Sequence, residues 1–346
     1  MNKMEAFKET FWKLVSESEH ILVTSHISPD EDSFSSVLVM YALLQEKMPG
    51  KHVRIAYTGE AVPRFSSFLN FDKIEFVDDV ANLVSEVDLL IMLDGGEYHR
   101  FSKMPEQLQT AKKTIAIDHH ASAPGTFSAS LIDTNMTSTS ELLYRLFASD
   151  MNISKEIAET FLLGMLGDTG NFAFVKPAQG EIFTIAQKLL QTADTSIEIL
   201  QSRYRAMSQR EFALIQLFMK NTSYTEIPNW PPVQYSFITE DEVKAGTYSE
   251  VEISAGSAMY IGKYLRSVSG YPWGFVATPR DGDCKFSFRS MPGSVNVRDM
   301  VERIGIGGGH DRAAGAAFKK TDVPVSVEQG IQNIFDWMKE NKPNLN

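Results

Sequence analysis

Along the first half of the chain, short apolar runs alternate with longer stretches of helical period. His20–Ser25 (HILVTS) reads as a buried strand and Ser35–Lys47 as the helix after it. Further strands are predicted at His52–Tyr57, Val87–Leu93 and Thr114–Ile117, with helices at Ser138–Ser149, Lys155–Leu166 and Gly180–Gln191. Apolar runs bounded by amphipathic segments predict βαβ units and a mostly parallel, doubly wound sheet. Residues 193–221 are helical and charged (Tyr204, Arg205, Arg210, Glu211, Phe212), as expected of a connector, and Pro228, Pro231 and Pro232 punctuate the boundary that follows. Beyond them the pattern changes to strands at Gln234–Ile238, Gly274–Thr278 and Lys285–Arg289. A turn signal at Asp281-Gly282-Asp283 separates the last two, and helices follow at Asn296–Ile304 and Val325–Lys339. The fold expected is α/β: a doubly wound domain over 1–192, a helical linker over 193–225, and a smaller α/β domain over 226–346.

The ends of these elements carry the chemistry. Ser25 leads into His26-Ile27-Ser28-Pro29-Asp30-Glu31-Asp32, Leu93 into Asp94, and Ile117 into Asp118-His119-His120; Gly167-Asp168-Thr169-Gly170 follows a predicted helix. Open parallel sheets place ligands at the carboxyl ends of their strands. Hard carboxylates mixed with imidazole suit Mn²⁺, Mg²⁺ or Fe²⁺ better than a structural zinc. Two such ions a few ångströms apart favour attack of an activated water on phosphorus. Each motif alone has a plainer reading. Asp30 or Asp32 can be a helix cap after a turn proline, Asp94 can open a turn, and His119-His120 can be a surface pair. Four motifs together favour metal ligation.

Composition narrows the setting. The chain has 346 residues, enough for two cores, with 43% hydrophobic and 22% charged residues, as in globular proteins. The N-terminal stretch to Ser18 is an amphipathic helix pattern (Phe7, Phe11, Trp12, Leu14, Val15) without a signal-peptide layout, and no apolar run is long enough to span a bilayer. Cys284 is the single cysteine, which excludes an intrachain disulfide and suits a reducing cytoplasm. A net charge of −11 argues against long nucleic acid bound non-specifically, but not against a short anionic substrate.

In this order, His26…Asp30…Asp32, Asp94, Asp118-His119-His120 and Asp168 resemble the metal motifs of the DHH phosphoesterase superfamily. Phe288-Arg289-Ser290 and Gly307-Gly308-Gly309-His310…Ala313-Ala314-Gly315 look like the signature of its DHH-associated substrate domain. Size and layout are most similar to the NrnA-like branch of oligoribonucleases and 3′-phosphoadenosine-5′-phosphate (pAp) phosphatases. The resemblance implies two divalent ions, Mn²⁺ foremost, with Mg²⁺, Fe²⁺ or Co²⁺ as alternatives. His26, Asp30 and Asp94 would hold one; Asp32, Asp94, His119 and Asp168 the other. His120 would contact the scissile phosphate and Asp118 would support the histidine pair. Arg289, Ser290, Gly307, Gly308, Gly309 and His310 would bind substrate, the glycines through backbone N–H groups. A tight strand-to-helix connection is the plainer reading of the glycine run. Arg266, Arg280, Arg298 and Arg312 read as surface charges. Phe172 and Phe174 suit either base stacking or core packing.

The implied partners are short single-stranded RNA or DNA or a nucleotide, with no long duplex and no membrane; a homodimer is also implied. A cleft between domains would clamp both substrate ends, with residues 193–221 as a hinge. Rivals are a phosphodiesterase of the c-di-AMP/pApA pathway, an inorganic pyrophosphatase, a RecJ-like exonuclease and a non-catalytic nucleotide-binding protein. The sequence departs from the family at Glu31, Ser33 and Ser35, where Gly, Ala and Gly are usual, and at Ile306, where a fourth glycine is frequent. Glu31 adds an acid beside the metals. It could face solvent, partner a ligand, or narrow the phosphate entry.

Overall fold

The computed structural model describes residues 3–121, 125–204 and 207–346; Arg205 of the expected connector lies outside them. The chain folds as two compact units, 1–206 and 207–346. The first contains α1 (Lys3–Ser16), β1 (His20–Ser25), α2 (Glu31–Lys47), β2 (His52–Thr58), β3 (Ile74–Val77), β4 (Leu89–Leu93), α3 (Pro105–Leu108), β5 (Thr114–Asp118), β6 (Ala129–Ile132), α4 (Thr139–Phe147), α5 (Lys155–Asp168), α6 (Glu181–Ala193) and α7 (Ile197–Tyr204). Its six strands lie in the order β3-β2-β1-β4-β5-β6, and every pair is parallel. The chain winds outward from β1 through β2 to β3, then returns to β4 beside β1. The sheet therefore changes direction between β1 and β4, and this is where doubly wound folds bind ligands.

Both faces of the sheet are covered, which is why its central strands are apolar throughout. Ile21 and Val23 of β1, with Leu89, Ile91 and Leu93 of β4, pack under Phe34, Leu38, Leu142, Phe161 and Leu162. Leu22, Leu90 and Met92 point the other way, towards Val80, Ala81, Val84, Phe101 and Leu108. β3 and β6 were not expected. Both are short edge strands with largely half-buried side chains, so neither shows the apolar run of a central strand. α2 begins four residues earlier than its apolar pattern, because Asp30 caps it. Val87 and Asp88 precede β4 rather than belonging to it.

The second unit contains α8 (Gln209–Lys220), β7 (Ser223–Thr225), β8 (Val233–Phe237), α9 (Glu240–Gly246), α10 (Glu250–Lys263), β9 (Trp273–Arg280), β10 (Asp283–Ser290), α11 (Val297–Ile304), β11 (Gly307–His310), β12 (Ala313–Phe318) and α12 (Val327–Glu340). Its sheet runs β11-β12-β10-β9-β8-β7 and is antiparallel except between β8 and β9. One face packs on α11 and α12 through Trp273, Phe275, Phe286, Phe288, Met300 and Ile334. At the β8–β9 side the other face meets α8 and α10 through Leu214, Phe218, Tyr260 and Val276. α9 and α10 escaped the pattern reading because glycine and serine interrupt α10 and α9 buries nothing. Their capping boxes, Thr239 with Glu242 and Ser249 with Glu252, were legible signals. β12 is Ala-Ala-Gly-Ala-Ala-Phe, with little strand propensity, and its pairing with β10 makes it a strand. Among the described residues no helix is long and apolar enough to cross a membrane.

The amphipathic N-terminal helix is part of the first core: Phe11 is fully buried, with its ring 4.7 Å from that of Phe147. Phe11→Ala should lower stability by about 3–5 kcal/mol in denaturant unfolding. A loss below about 1 kcal/mol would mean that α1 is not integral to this core.

Candidate metal centre

Three strand ends and one helix end supply the ligand-type side chains. The Ser25 hydroxyl donates to the Leu93 carbonyl at 2.7 Å, tying together the points where β1 and β4 end. His26, next along, is buried, with Nδ1 3.1 Å from the Ile27 carbonyl. A proton on Nδ1 leaves Nε2 as the metal-facing nitrogen; it lies 3.3 Å from Asp94 Oδ2 and 3.8 Å from Asp30 Oδ1. Asp30 accepts the Ser33 N–H at 3.0 Å, so it caps α2 while standing beside His26. One side chain thus caps α2 and also stands among the candidate ligands, two roles which the sequence offered as alternatives.

Asp32 is fully buried and accepts the backbone N–H groups of Thr139 and Ser140, at 2.6 and 2.9 Å. These are the first amides of α4, which Ser138 caps, so the carboxylate rests on a helix N-terminus. Asp94 takes a left-handed backbone, φ 59°, and its N–H donates to the Ile117 carbonyl at 2.9 Å. Such a conformation costs a non-glycine residue about 1–3 kcal/mol and persists where the surroundings demand it. The strain lies on Asp94 itself rather than on Gly95 or Gly96. Thr139 Oγ1 donates to Asp94 Oδ1 at 3.1 Å. Asp168 is the last residue of α5, with Oδ2 2.7 Å from His119 Nε2. α5 comes this close to α2 because it carries glycines at the contact. A Cβ on Gly164 would stand 2.0 Å from Ser140 Oγ and 2.6 Å from Asp32 Oδ1, and one on Gly167 would stand 2.5 Å from Glu31 Cβ.

Ligand atoms converge in three overlapping groups, each within 4.8 Å: His26, Asp30 and Asp94; Asp32, Asp94, His119 and Asp168; and Asp94, His119 and His120. Asp94 is common to all three. His120 also faces Asp118, which accepts from its ring Nδ1 at 2.7 Å and its backbone N–H at 3.1 Å. Asp118 thus supports the second histidine of the pair and sets its proton on Nδ1. Burial pushes Asp118 up, but His120 holds its carboxyl below the usual range.

In the second unit, β10 alternates strictly, so Arg289 and Ser290 lie on opposite faces of the sheet. The Ser290 hydroxyl is buried and accepts from the Asn346 side chain at 2.9 Å. Arg289 stands between Gly274 and Ala313 on the other face. Burial and the nearby Arg266 charge lower its pKa; burial and Arg312 do the same to Arg266. Among the described residues, none of these three arginines has a carboxylate within ion-pair distance, whereas Arg280 pairs with Glu250 and Arg298 with Asp311. Gly307–His310 form the edge strand β11, neither a phosphate-cradling loop nor a strand-to-helix turn. Ala317 N–H bonds the Ile306 carbonyl, so antiparallel alternation turns the Gly307 and Gly309 N–H groups to the open edge. His310 is exposed at the end of this strand.

Comparison with known proteins matches residues 20–165 to the DHH family, N-terminal domain, and residues 237–340 to the DHHA1 domain. The chain is a DHH–DHHA1 protein. Two relatives are described as bifunctional oligoribonuclease and PAP phosphatase NrnA. The Bacillus subtilis protein is 24% identical, over 90% of this chain and 93% of its own. That of Thermus thermophilus is 27% identical, over 91% and 89%. An exopolyphosphatase-related protein from Bacteroides fragilis superposes with a TM-score of 0.80 at 22% identity, covering 98% of this chain and 99% of its own, which shows a shared fold.

The donors of this DHH domain fit divalent ions. Asp94 Oδ2 and His119 Nε2 are buried with no hydrogen-bond partner, although each has an oppositely charged neighbour at contact distance. The electrostatics are those of carboxylates short of positive charge. Burial and the charges of Asp94 and Asp168 push Asp32 well up, and burial also raises Asp168. Burial opposes ionisation of Asp94 too, but the positive charges of His26, His119 and His120 around it hold it well down. Burial lowers His26, yet Asp94 and Asp30 outweigh it and lift the imidazole to about 9. Cations placed among these groups relieve the repulsion between them.

Sequence reasoning missed Ser138, Thr139 and Ser140, which seat Asp32 and Asp94, although Ser-Thr-Ser at a helix start was a readable signal. It also missed the Arg266–Arg289–Arg312 grouping, for which spacing held no signal.

Two measurements test the centre. Gly164→Ala should weaken Mn²⁺ binding by about 10-fold or more in calorimetric titration, because Ser140 and Asp32 must move; unchanged affinity would separate the α2–α5 contact from the metal site. His26 is protonated below about pH 9 in the metal-free protein, and an ion needs its neutral ring. Mn²⁺ affinity should therefore rise from pH 7 to 9, with proton release visible in buffers of different ionisation enthalpy. Absence of proton release would remove His26 from the ligands.

Proposed function

We propose that this phosphoester hydrolase acts on short oligonucleotides and on pAp, using two divalent ions with Mn²⁺ as the preferred metal. The observation that carries the reading is the pair of donor groups sharing Asp94, His26–Asp30–Asp94 and Asp32–Asp94–His119–Asp168. One carboxylate common to two sites is the arrangement a bimetal centre requires. The NrnA relatives support the substrate class. When bound, the ions supply Lewis acidity, lowering the pKa of water and neutralising charge on phosphoryl oxygens.

The protein's own groups do the rest. Thr139, Ser140 and the α4 N-terminus orient Asp32 and Asp94 so that neither turns away from the centre. Asp118 holds the His120 proton on Nδ1, so contact with a phosphoryl or leaving oxygen falls to Nε2. In the DHHA1 domain, Arg289 with Arg266 and Arg312, and the outward N–H groups of Gly307 and Gly309, make a face suited to a phosphate group. Of the two aromatic candidates, Phe172 packs against Phe183, whereas Phe174 is 68% exposed and free to take a base.

The test is product release with Mn²⁺ from pAp, pApA, an RNA 5-mer and 24-mer, c-di-AMP and pyrophosphate. Rapid cleavage of pAp, the dinucleotide and the 5-mer, with the 24-mer spared, is expected. Preference for c-di-AMP or pyrophosphate, or no turnover with metal bound, would overturn the reading. His120→Ala should retain Mn²⁺ binding and lose kcat by about 100-fold or more.

A further inference from the structure

Glu31 stands between two metal-site aspartates, Asp30 and Asp32, at the first turn of α2. Its stem packs on Gly167, next to Asp168 at the end of α5, so the side chain is seated rather than free in solvent. A fifth carboxylate beside Asp30, Asp32, Asp94 and Asp168 is repelled by all of them. Arg64 is what faces it: Nη2 lies 3.4 Å from Glu31 Oε1. Arg64 sits in the short helical turn 63–65, in the connection that leaves the carboxyl end of β2, on the ligand-bearing side of the sheet. The turn is anchored by Phe65, which is fully buried 4.5 Å from Phe34 and carries the guanidinium over its own ring at 4.6 Å.

The pairing is incomplete. The 3.4 Å contact lacks hydrogen-bond geometry, and Arg64 Nε is buried without a hydrogen-bond partner. A guanidinium is always charged, and its fork matches carboxylate and phosphate oxygens alike. Arg64 is therefore positioned at the rim of the centre, with donors to spare and an internal anion in front of it.

We propose that Arg64 is a phosphate-binding residue of this site and that Glu31 is the built-in anion competing for it. This rests on the phosphoester reading and deepens it. A phosphate must displace Glu31 to reach the guanidinium. A dianionic terminal phosphate does so more readily than a monoanionic internal diester, so the pair tunes the enzyme towards substrates with terminal phosphates.

The experiment is calorimetric binding of inorganic phosphate at saturating Mg²⁺ to wild type, Glu31→Gln, Arg64→Ala and the double variant. Glu31→Gln should tighten phosphate binding by about threefold or more, and Arg64→Ala should weaken it by about tenfold. The double variant should match Arg64→Ala alone, because removing Glu31 then frees nothing. Arg64→Lys, which keeps the charge and the packing stem, should fall between wild type and Arg64→Ala. Glu31→Gln that leaves binding unchanged or weaker, or a gain that persists without Arg64, overturns the proposal. Phosphate binding is read without turnover, so a failed substrate panel with the expected competition intact would sink the function while sparing this inference.

Discussion

Like charges forced together out of water govern the first unit. Asp32 and Asp94 are buried almost completely, Asp168 and Asp30 stand beside them, and three histidines share the space. Such a cluster costs free energy unless positive charge is supplied. The surroundings show how the cost is limited: two helix amides on Asp32, a threonine hydroxyl and a strained backbone at Asp94, and imidazoles on the remaining oxygens. The centre is an arrangement that the fold holds against repulsion and that a bound metal ion would complete.

The topology makes this possible. Because the chain reverses direction between β1 and β4, two loops leave the sheet side by side without a strand crossing between them. β5 adds the histidine pair from the next position in the sheet. The fourth contribution comes from a helix. α5 reaches the centre only because Gly164 and Gly167 let its backbone settle against Asp32, Ser140 and Glu31. The geometry of this cluster depends on small residues that carry no chemistry of their own.

The two units handle charge in opposite ways. The DHH domain gathers carboxylates that call for cations, while the DHHA1 domain gathers Arg266, Arg289 and Arg312, which have no carboxylate partner among the described residues. A protein with a net charge of −11 thus keeps a local concentration of positive charge on one face of its second unit. Glu31 and Arg64 repeat the theme at smaller scale, each satisfying part of what the other lacks.

The central strands, the long amphipathic helices and the acidic and histidine motifs were determined by sequence alone. Apolar runs on β1, β4 and β5 can only be buried, and the polar clusters at their ends follow directly in the chain. Tertiary structure decided the rest. The edge strands β3 and β6, and the alanine- and glycine-rich β11 and β12, exist because neighbours pair with them, which no local propensity announces. Ser290 turned to the core and Arg289 to the open face because a strand alternates, and only the register says which face is which. The seating of Asp32 on α4, over a hundred residues away, and the arginine grouping depend on contacts between distant segments. Period and polarity are properties of neighbours in the chain; the field at a buried carboxylate is a property of whatever the fold brings beside it.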